Sequence, residues 1–177
     1  VGVVERDGLL VPAQVSSGDA LIGIPSSGLH SNGFSLVRRL VDELDWDENH
    51  GLGEPLGDAL LRPTRIYATE VKTLLEGFDV RSLVHITGGG FHENIPRALP
   101  EGCQAELDQG SWTIPPIFGL IERLGNLGRR DMEDTFNNGV GLIAVVPQAQ
   151  AEEAAAAAGG TVIGRVRSDL DCPVVIR

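Results

Sequence analysis

Residues 24–40 read IPSSGLHSNGFSLVRRL, and this stretch decides the fold. An apolar run over 20–24 leads in. From Phe34 onward, Phe34, Val37, Val41 and Leu44 recur at intervals of three and four, with Arg38, Arg39, Asp42 and Glu43 between them. Strand, loop and amphipathic helix therefore follow one another within some 25 residues. Gly28 and Gly33 suffice for the turn, so Ser26, Ser27, His30, Ser31 and Asn32 are more polar chemistry than a connection needs. Residues 83–99, LVHITGGGFHENIPRAL, repeat the plan: an apolar strand, a loop of small residues, then a helix.

Working outward, residues 1–5 and 9–11 read as two short strands around Arg6-Asp7-Gly8. Residues 45–58, rich in Asp, Glu and Gly, read as a surface excursion. Arg62-Pro63-Thr64 starts a second helix with Ile66, Val71, Leu74 and Leu75 as its apolar positions, ended by Gly77. Strands are expected over 82–87, 104–107, 139–146, 162–166 and 173–176. Helical segments are expected to about 99, over 116–124, around 131–136 and over the alanine-rich 148–158. Strands and helices alternate without long linkers, which gives one α/β or α+β layered domain, a mixed β-sheet covered by helices.

The 177 residues are enough to bury a core, and 42% are hydrophobic. Acidic side chains outnumber basic ones 25 to 14, a formal charge of -11. That charge repels a nucleic-acid backbone, and the longest basic stretch, Arg129-Arg130, is followed at once by Asp131, Glu133 and Asp134. Cys103 and Cys172 match no metal-ligand spacing and read as small apolar residues. No apolar run is long enough for a membrane span, so a cytoplasmic protein is expected. The opening Val1-Gly2-Val3-Val4-Glu5 reads as entering mid-strand, as a piece of something longer would.

Each strand–loop–helix junction supports two readings. A helix start leaves N–H groups unpaired and carries partial positive charge, and glycines let a phosphate or carboxylate approach it. Equally, Ser31 or Asn32 could serve as a plain N-cap. Neither loop is a P-loop or a dinucleotide fingerprint, since neither Gly-Lys-Ser/Thr nor GxGxxG is present. His30 and His85 stand beside the two loops, whereas His50 and His92 read as structural or solvated. Asn137, at the start of the 139–146 strand, either caps a turn or faces a site.

Four segments, SSGLHSNGFSLVR (26–38), LLRPTRIYATEV (60–71), HITGGGFHENIPR (85–97) and FNNGVGLIAVVP (136–147), resemble the C-terminal domain of the phosphoribosylformylglycinamidine cyclo-ligase (aminoimidazole ribonucleotide synthetase) family in order and spacing. The resemblance covers nearly the whole chain. It implies ATP-dependent ring closure of formylglycinamidine ribonucleotide in purine biosynthesis. In that reaction ATP phosphorylates the formyl oxygen, the amidine nitrogen attacks the activated carbon, and phosphate leaves. Matched position by position, it implies substrate or phosphate contacts from Ser26, Ser27, Ser31, Asn32, Thr64, Arg65, His85, Thr87, Gly88, Gly89, Gly90, Asn94 and Asn137. His30 is then the catalytic candidate, for proton transfer. The resemblance also implies that residues 1–177 are one C-terminal domain, and that the family's N-terminal domain, absent here, holds the Mg2+ ligands and most of the ATP site. Its further implications are a homodimeric complete enzyme and an inactive fragment, with no nucleic-acid or membrane partner. Two alternatives stay open: another ATP-using member of the superfamily such as formylglycinamidine ribonucleotide synthetase, or a non-catalytic ligand-binding module.

Overall fold

A computed structural model describes residues 3–168 and 172–177. Its centre is the pair β1 (Ala20–Pro25) and β4 (Val140–Val146), antiparallel to each other. Both are almost wholly apolar and buried on both faces, as suits strands in the middle of a covered sheet. Around them the sheet runs β2-β4-β1-β5-β3-β6, with β2 at Ser82–His85, β3 at Cys103–Leu107, β5 at Thr161–Ser168 and β6 at Val174–Ile176. Every neighbouring pair is antiparallel except β3 with β6, so the sheet is mixed as expected.

Alternation along the strands sorts the core into layers. Ala20, Ile22, Ile24, Leu142, Ala144 and Val146 face α3 (Ala68–Gly77) and α7 (Ala151–Ala157). The alanines of α7 let that helix lie close on the sheet. Leu21, Val84, Ile143, Val145, Ala105 and Leu107 face the other way, under Phe91 of α4 (Gly90–Asn94) and Ile95 and Ala98 of the 3-10 turn that follows it. A third, helical core joins α1 (Phe34–Leu40), α2 (Leu56–Leu61), α5 (Pro116–Gly125) and α6 (Arg129–Thr135). There Phe118 and Phe136 meet edge to face with centroids 6.2 Å apart.

Four expectations need correction. The strands expected over 1–5 and 9–11 do not pair in their described part, which instead forms 3-10 turns at Arg6–Gly8 and Pro12–Gln14; Val1 and Gly2 lie outside the described residues. Leu10 packs on the core without joining a ladder. The second helix begins at Ala68 rather than Thr64, because residues 62–67 run as an extended connection in which Ile66 is exposed and Arg65 is tied to Pro25 and Glu70. The excursion at 45–58 gives way to α2, seeded by the fully buried Leu56. Finally, neither Ser31 nor Asn32 caps α1: its N-cap is Gly33 in the left-handed region, with no side-chain cap bond. The turn before it closes through the backbone, Asn32 N donating to Leu29 O at 3.1 Å, with His30 and Ser31 also at positive φ.

The three glycines of the second loop are not equivalent. Gly90 has φ +54°, and a Cβ there would stand 1.9 Å from the carbonyl oxygen of Glu133 in α6; Gly88 faces open space. Gly90→Ala should therefore cost about 3 kcal/mol or more, from left-handed backbone strain plus a clash with main chain that cannot yield. Gly88→Ala should stay within about 1 kcal/mol. Urea unfolding of the two variants tests this, and matching midpoints would mean that the second loop does not rest on α6.

Candidate functional site

The first loop, residues 26–33, is fastened to the α6–β4 connection by one side chain. Asn137 is fully buried; its Nδ2 donates to Gly28 O at 2.9 Å, and its Oδ1 accepts from Ser26 Oγ at 3.0 Å and Gly139 N at 2.9 Å. Ser26 N adds a bond to Gly139 O at 2.8 Å. Across the loop, Ser27 Oγ donates to Pro63 O at 2.6 Å, which ties residues 62–67 to it.

His30 lies inside this frame, 6% exposed. Its Nε2 accepts from Ser27 N at 2.9 Å and Arg65 N at 3.3 Å. Two backbone donors on Nε2 leave the proton of the neutral ring on Nδ1, which is buried without a partner in the chain. Burial, then His85, then Arg65 lower its pKa from 6.5 to about 4. The ring packs against Tyr67 and His85 at centroid distances of 6.0 and 6.3 Å, and Tyr67 meets His85 at 5.9 Å. Room for this cluster comes from Gly141, the extra residue of a β-bulge between β1 and β4; a Cβ there would lie 2.0 Å from the Tyr67 hydroxyl.

Arg65 turns inward. Its guanidinium reaches Pro25 O at 3.0 Å and Glu70 Oε1 at 2.5 Å, and lies 5.4 Å from the Tyr67 ring centroid. Tyr67 donates to the same Pro25 O at 3.0 Å. Burial chiefly pushes its phenol up to about 12, so it remains a donor across the physiological range. Glu70 is held below the usual carboxylate range by its own backbone N–H and by Arg65, while its Oε2 is buried and unpartnered. Tyr67 and Glu70 join the site beyond the sequence candidates: a Tyr and a Glu three residues apart beside Arg65 match a helix pattern, and only their contacts with Pro25 and Arg65 place them here.

The second loop is organised by Asn94, whose Nδ2 donates to Gly90 O at 2.7 Å, Gly88 O at 3.2 Å and Thr87 O at 3.3 Å. Its Oδ1 accepts from Thr87 Oγ1 at 3.2 Å. Gly89 is the left-handed N-cap of α4, and below it His92 pairs with Glu133 at 3.1 Å, joining α4 to α6. Residues 133–139 thus touch both loops: Glu133 under Gly90, Phe136 under Gly33, Asn137 under Gly28. Among the described residues, the two junctions border different pockets. Ser26 lines a pocket of about 400 Å³ with Trp112 and Gly139, whereas His85 and Asn94 line another of about 450 Å³ beside β2.

The geometry thus gathers Ser26, Ser27, His30, Arg65, His85 and Asn137, and builds a second group from Thr87, Gly88, Gly89, Gly90 and Asn94. Ser31 and Thr64 are exposed and, among the described residues, make no side-chain hydrogen bond. Asn32 Nδ2 is buried and unpartnered, like His30 Nδ1. Among the described residues, no three His, Cys, Asp or Glu side chains are grouped to hold a metal ion. No helix among them is long and apolar enough to cross a membrane.

Residues 16–174 match the family described as AIR synthase related protein, C-terminal domain. A phosphoribosylformylglycinamidine cyclo-ligase from Symbiobacterium thermophilum is 50% identical over 165 residues, covering 89% of this chain and 47% of the relative. One of the same name from Gloeobacter violaceus is 51% identical over 156 residues, covering 86% and 46%. The chain spans about half the length of the curated relatives it matches. Among solved structures, thiamine-monophosphate kinase from Stenotrophomonas maltophilia superposes with a TM-score of 0.62 at 20% identity, over 98% of this chain and 54% of that one. The hydrogenase maturation protein HypE of E. coli gives 0.61 at 19%, over 94% and 48%. These two likenesses show the fold, and the sequence match shows the family: the chain belongs to the AIR synthase related proteins, as their C-terminal domain.

Proposed function

We propose that this chain is the C-terminal half of an ATP-dependent cyclo-ligase that closes formylglycinamidine ribonucleotide to aminoimidazole ribonucleotide in purine biosynthesis. The observation that carries the reading is the pair of buried, unpartnered donors in the first loop, His30 Nδ1 and Asn32 Nδ2, set in a backbone already satisfied by Asn137. Buried donors without acceptors are costly, and such groups are retained where a ligand supplies the acceptor. A ribose phosphate or a phosphoryl oxygen would do so. Relatives at about half identity that carry the cyclo-ligase name favour this substrate over that of another superfamily member.

ATP, when bound, would supply the phosphoryl group that makes the formyl oxygen a leaving group. This chain's residues would bind and orient: Ser26, Ser27 and Asn32 at the first loop, with Ser31 exposed beside them, and Thr87 with the Gly88, Gly89 and Gly90 backbone at the second. His85, Asn94 and Asn137 would support these contacts, and Thr64 and Arg65 would fix the connection across them. His30, the sequence candidate for proton transfer, takes a different role in this reading. With Nε2 already occupied, it is a positioning residue that offers one N–H from a neutral ring. Mg2+ and most ATP contacts would come from an N-terminal domain of the same polypeptide, in a cytoplasmic homodimer.

Combining the purified chain with the N-terminal half of a relative, fused or in trans, should give ATP-dependent loss of formylglycinamidine ribonucleotide that neither part gives alone. Turnover by the 177-residue chain alone, or none from a folded combination, would sink the proposal.

His30 also predicts a pH dependence. Its folded pKa is depressed, so its contribution is fully present above pH 6.5 and is lost as pH falls toward 4, where the unfolded chain binds the proton first. Between pH 7 and pH 5 the wild type should lose about 2 kcal/mol more stability than His30→Gln. Urea titrations at the two pH values measure this, and parallel losses would show that the ring is not buried neutral.

A further inference from the structure

Ser26 and Gly139, two of the residues that Asn137 ties together, also line an open pocket of about 400 Å³. It lies between the end of β1, the start of β4, Thr161 at the start of β5, and the loop 110–115 that leads into α5. Gly139 lets that loop close against β4: its φ is +95°, and a Cβ there would stand 2.7 Å from Thr113 O. Among the described residues that line the pocket, none carries a charged side chain. Charge therefore draws nothing into it, and its hydrogen-bonding pattern and walls must select what fits.

Four hydroxyl groups border it, from Ser26, Ser111, Thr113 and Thr161. Ser26 Oγ donates its proton to Asn137 Oδ1 at 3.0 Å, and Ser111 Oγ donates to Asp108 O at 2.6 Å. With those protons committed, the two serine oxygens can only accept from a ligand. Thr113 and Thr161 are exposed, and among the described residues neither hydroxyl has a hydrogen-bond partner, so each can donate or accept. Acceptors beside adaptable hydroxyls match a ligand that is itself rich in hydroxyl groups. A phosphate oxygen, which only accepts, would leave Ser26 and Ser111 without a donor.

Trp112 supplies a flat wall. Its ring is held by Nε1–H donating to Asn138 O at 3.0 Å and by an edge-to-face contact with Phe91, centroids 5.9 Å apart. A fixed aromatic ring among hydroxyls suits a sugar, whose C–H face packs on the ring while its O–H groups reach the rim. The volume suits a small molecule rather than a segment of protein. Ser26 both lines the pocket and begins the first loop, so the pocket and that loop adjoin.

We propose that this pocket is a ribose subsite, which takes the uncharged pentose of a phosphoribosyl compound whose phosphate lies at the first loop. The inference rests on the reading of that loop as the place of a phosphorylated substrate. It adds Trp112, Thr113 and Thr161 to the residues that would contact substrate.

Trp112 is its own reporter. The chain has two tryptophans, and Trp46 does not line the pocket, so Trp46→Phe identifies the Trp112 indole N–H in a 1H–15N spectrum of the labelled 177-residue chain. The chain is titrated with ribose 5-phosphate and, separately, with inorganic phosphate and with adenosine. Ribose 5-phosphate should move the Trp112 indole and the Thr161 amide together with the first-loop amides, whereas inorganic phosphate should move the first-loop amides alone. The pair Thr113→Val/Thr161→Val should bind ribose 5-phosphate about tenfold more weakly, through the loss of two neutral hydrogen bonds. Thr73→Val, on the exposed side of α3, should match the wild type, and the spectra themselves show whether each variant is folded. A Trp112 resonance that ignores ribose 5-phosphate would overturn the proposal. So would an equal Trp112 response to inorganic phosphate, unchanged affinity in the double variant, or an equal loss in Thr73→Val. A response to adenosine but not to ribose 5-phosphate would make the base the recognised part, and the ribose subsite would fall. The readout is binding and not turnover: a combined enzyme that fails to close the ring strikes the cyclo-ligase reading, whereas a working enzyme whose Trp112 ignores ribose 5-phosphate strikes the pocket alone.

Discussion

The carboxamide of Asn137 holds the architecture of the site in place. It is fully buried, and its three hydrogen bonds run to Gly28, Ser26 and Gly139, two loops that the chain separates by over a hundred residues. A buried amide left with empty valences is costly, so the loop geometry that satisfies it is strongly specified. Everything around the first loop inherits that specification: the left-handed turn at His30 and Ser31, the acceptor role of His30 Nε2, and the extended run of residues 62–67 hung from Ser27. The neighbouring Asn138 works in the same place on other groups. At φ +45° it donates to Met132 O at 3.0 Å, closing α6 where the chain turns into β4.

Both loops depend on this one connection, and that determines how they relate. Gly90 fits against Glu133, Gly33 against Phe136 and Gly28 against Asn137, so a displacement of residues 133–139 would be felt in both loops at once. The His30–Tyr67–His85 cluster is a second link, through ring contacts in the space that Gly141 leaves. Two junctions joined twice over can keep a fixed spacing although they border different pockets.

What the sequence revealed followed the strength of its periodicities. The central strands were legible because ALIGIP and VGLIAVV are short apolar runs bounded by turn residues, as doubly covered strands are, and α5 because Ile117, Phe118, Leu120 and Ile121 mark one buried face. Residues 3–5 and 9–11 misled because short valine- and leucine-bearing runs resemble a strand whether or not a partner edge exists. The stretch around Thr64 misled because Pro63 and an apolar Ile66 imitate a helix start, while the deciding bonds, from Arg65 to Pro25 and Ser27 to Pro63, are long-range. The capping assignment failed similarly. Ser31 and Asn32 stand where caps stand, but the αL turn and Gly33 take over, and no local pattern displays that. Tyr67 and Glu70 owe their roles to tertiary neighbours and could not be read from spacing.

The polar atoms left over are what the proposed ligand contact at the first loop rests on. His30 Nδ1–H and Asn32 Nδ2 are donors, and Glu70 Oε2 is an acceptor; all are buried with no partner in the chain. Each such group costs about 1–3 kcal/mol when it stays unsatisfied. Three in one region would be a heavy burden for a fold whose net stability is only about 5–15 kcal/mol. The burden is not a packing failure, because the surrounding polar groups are paired with care: Asn137 uses both ends of its amide and Asn94 makes four bonds. Beside those satisfied amides, the imidazole and carboxamide donors have no acceptor within the described residues. The two donors suit oxygen acceptors, from an ordered water or from the proposed phosphorylated substrate, while Glu70 Oε2 needs a donor of its own.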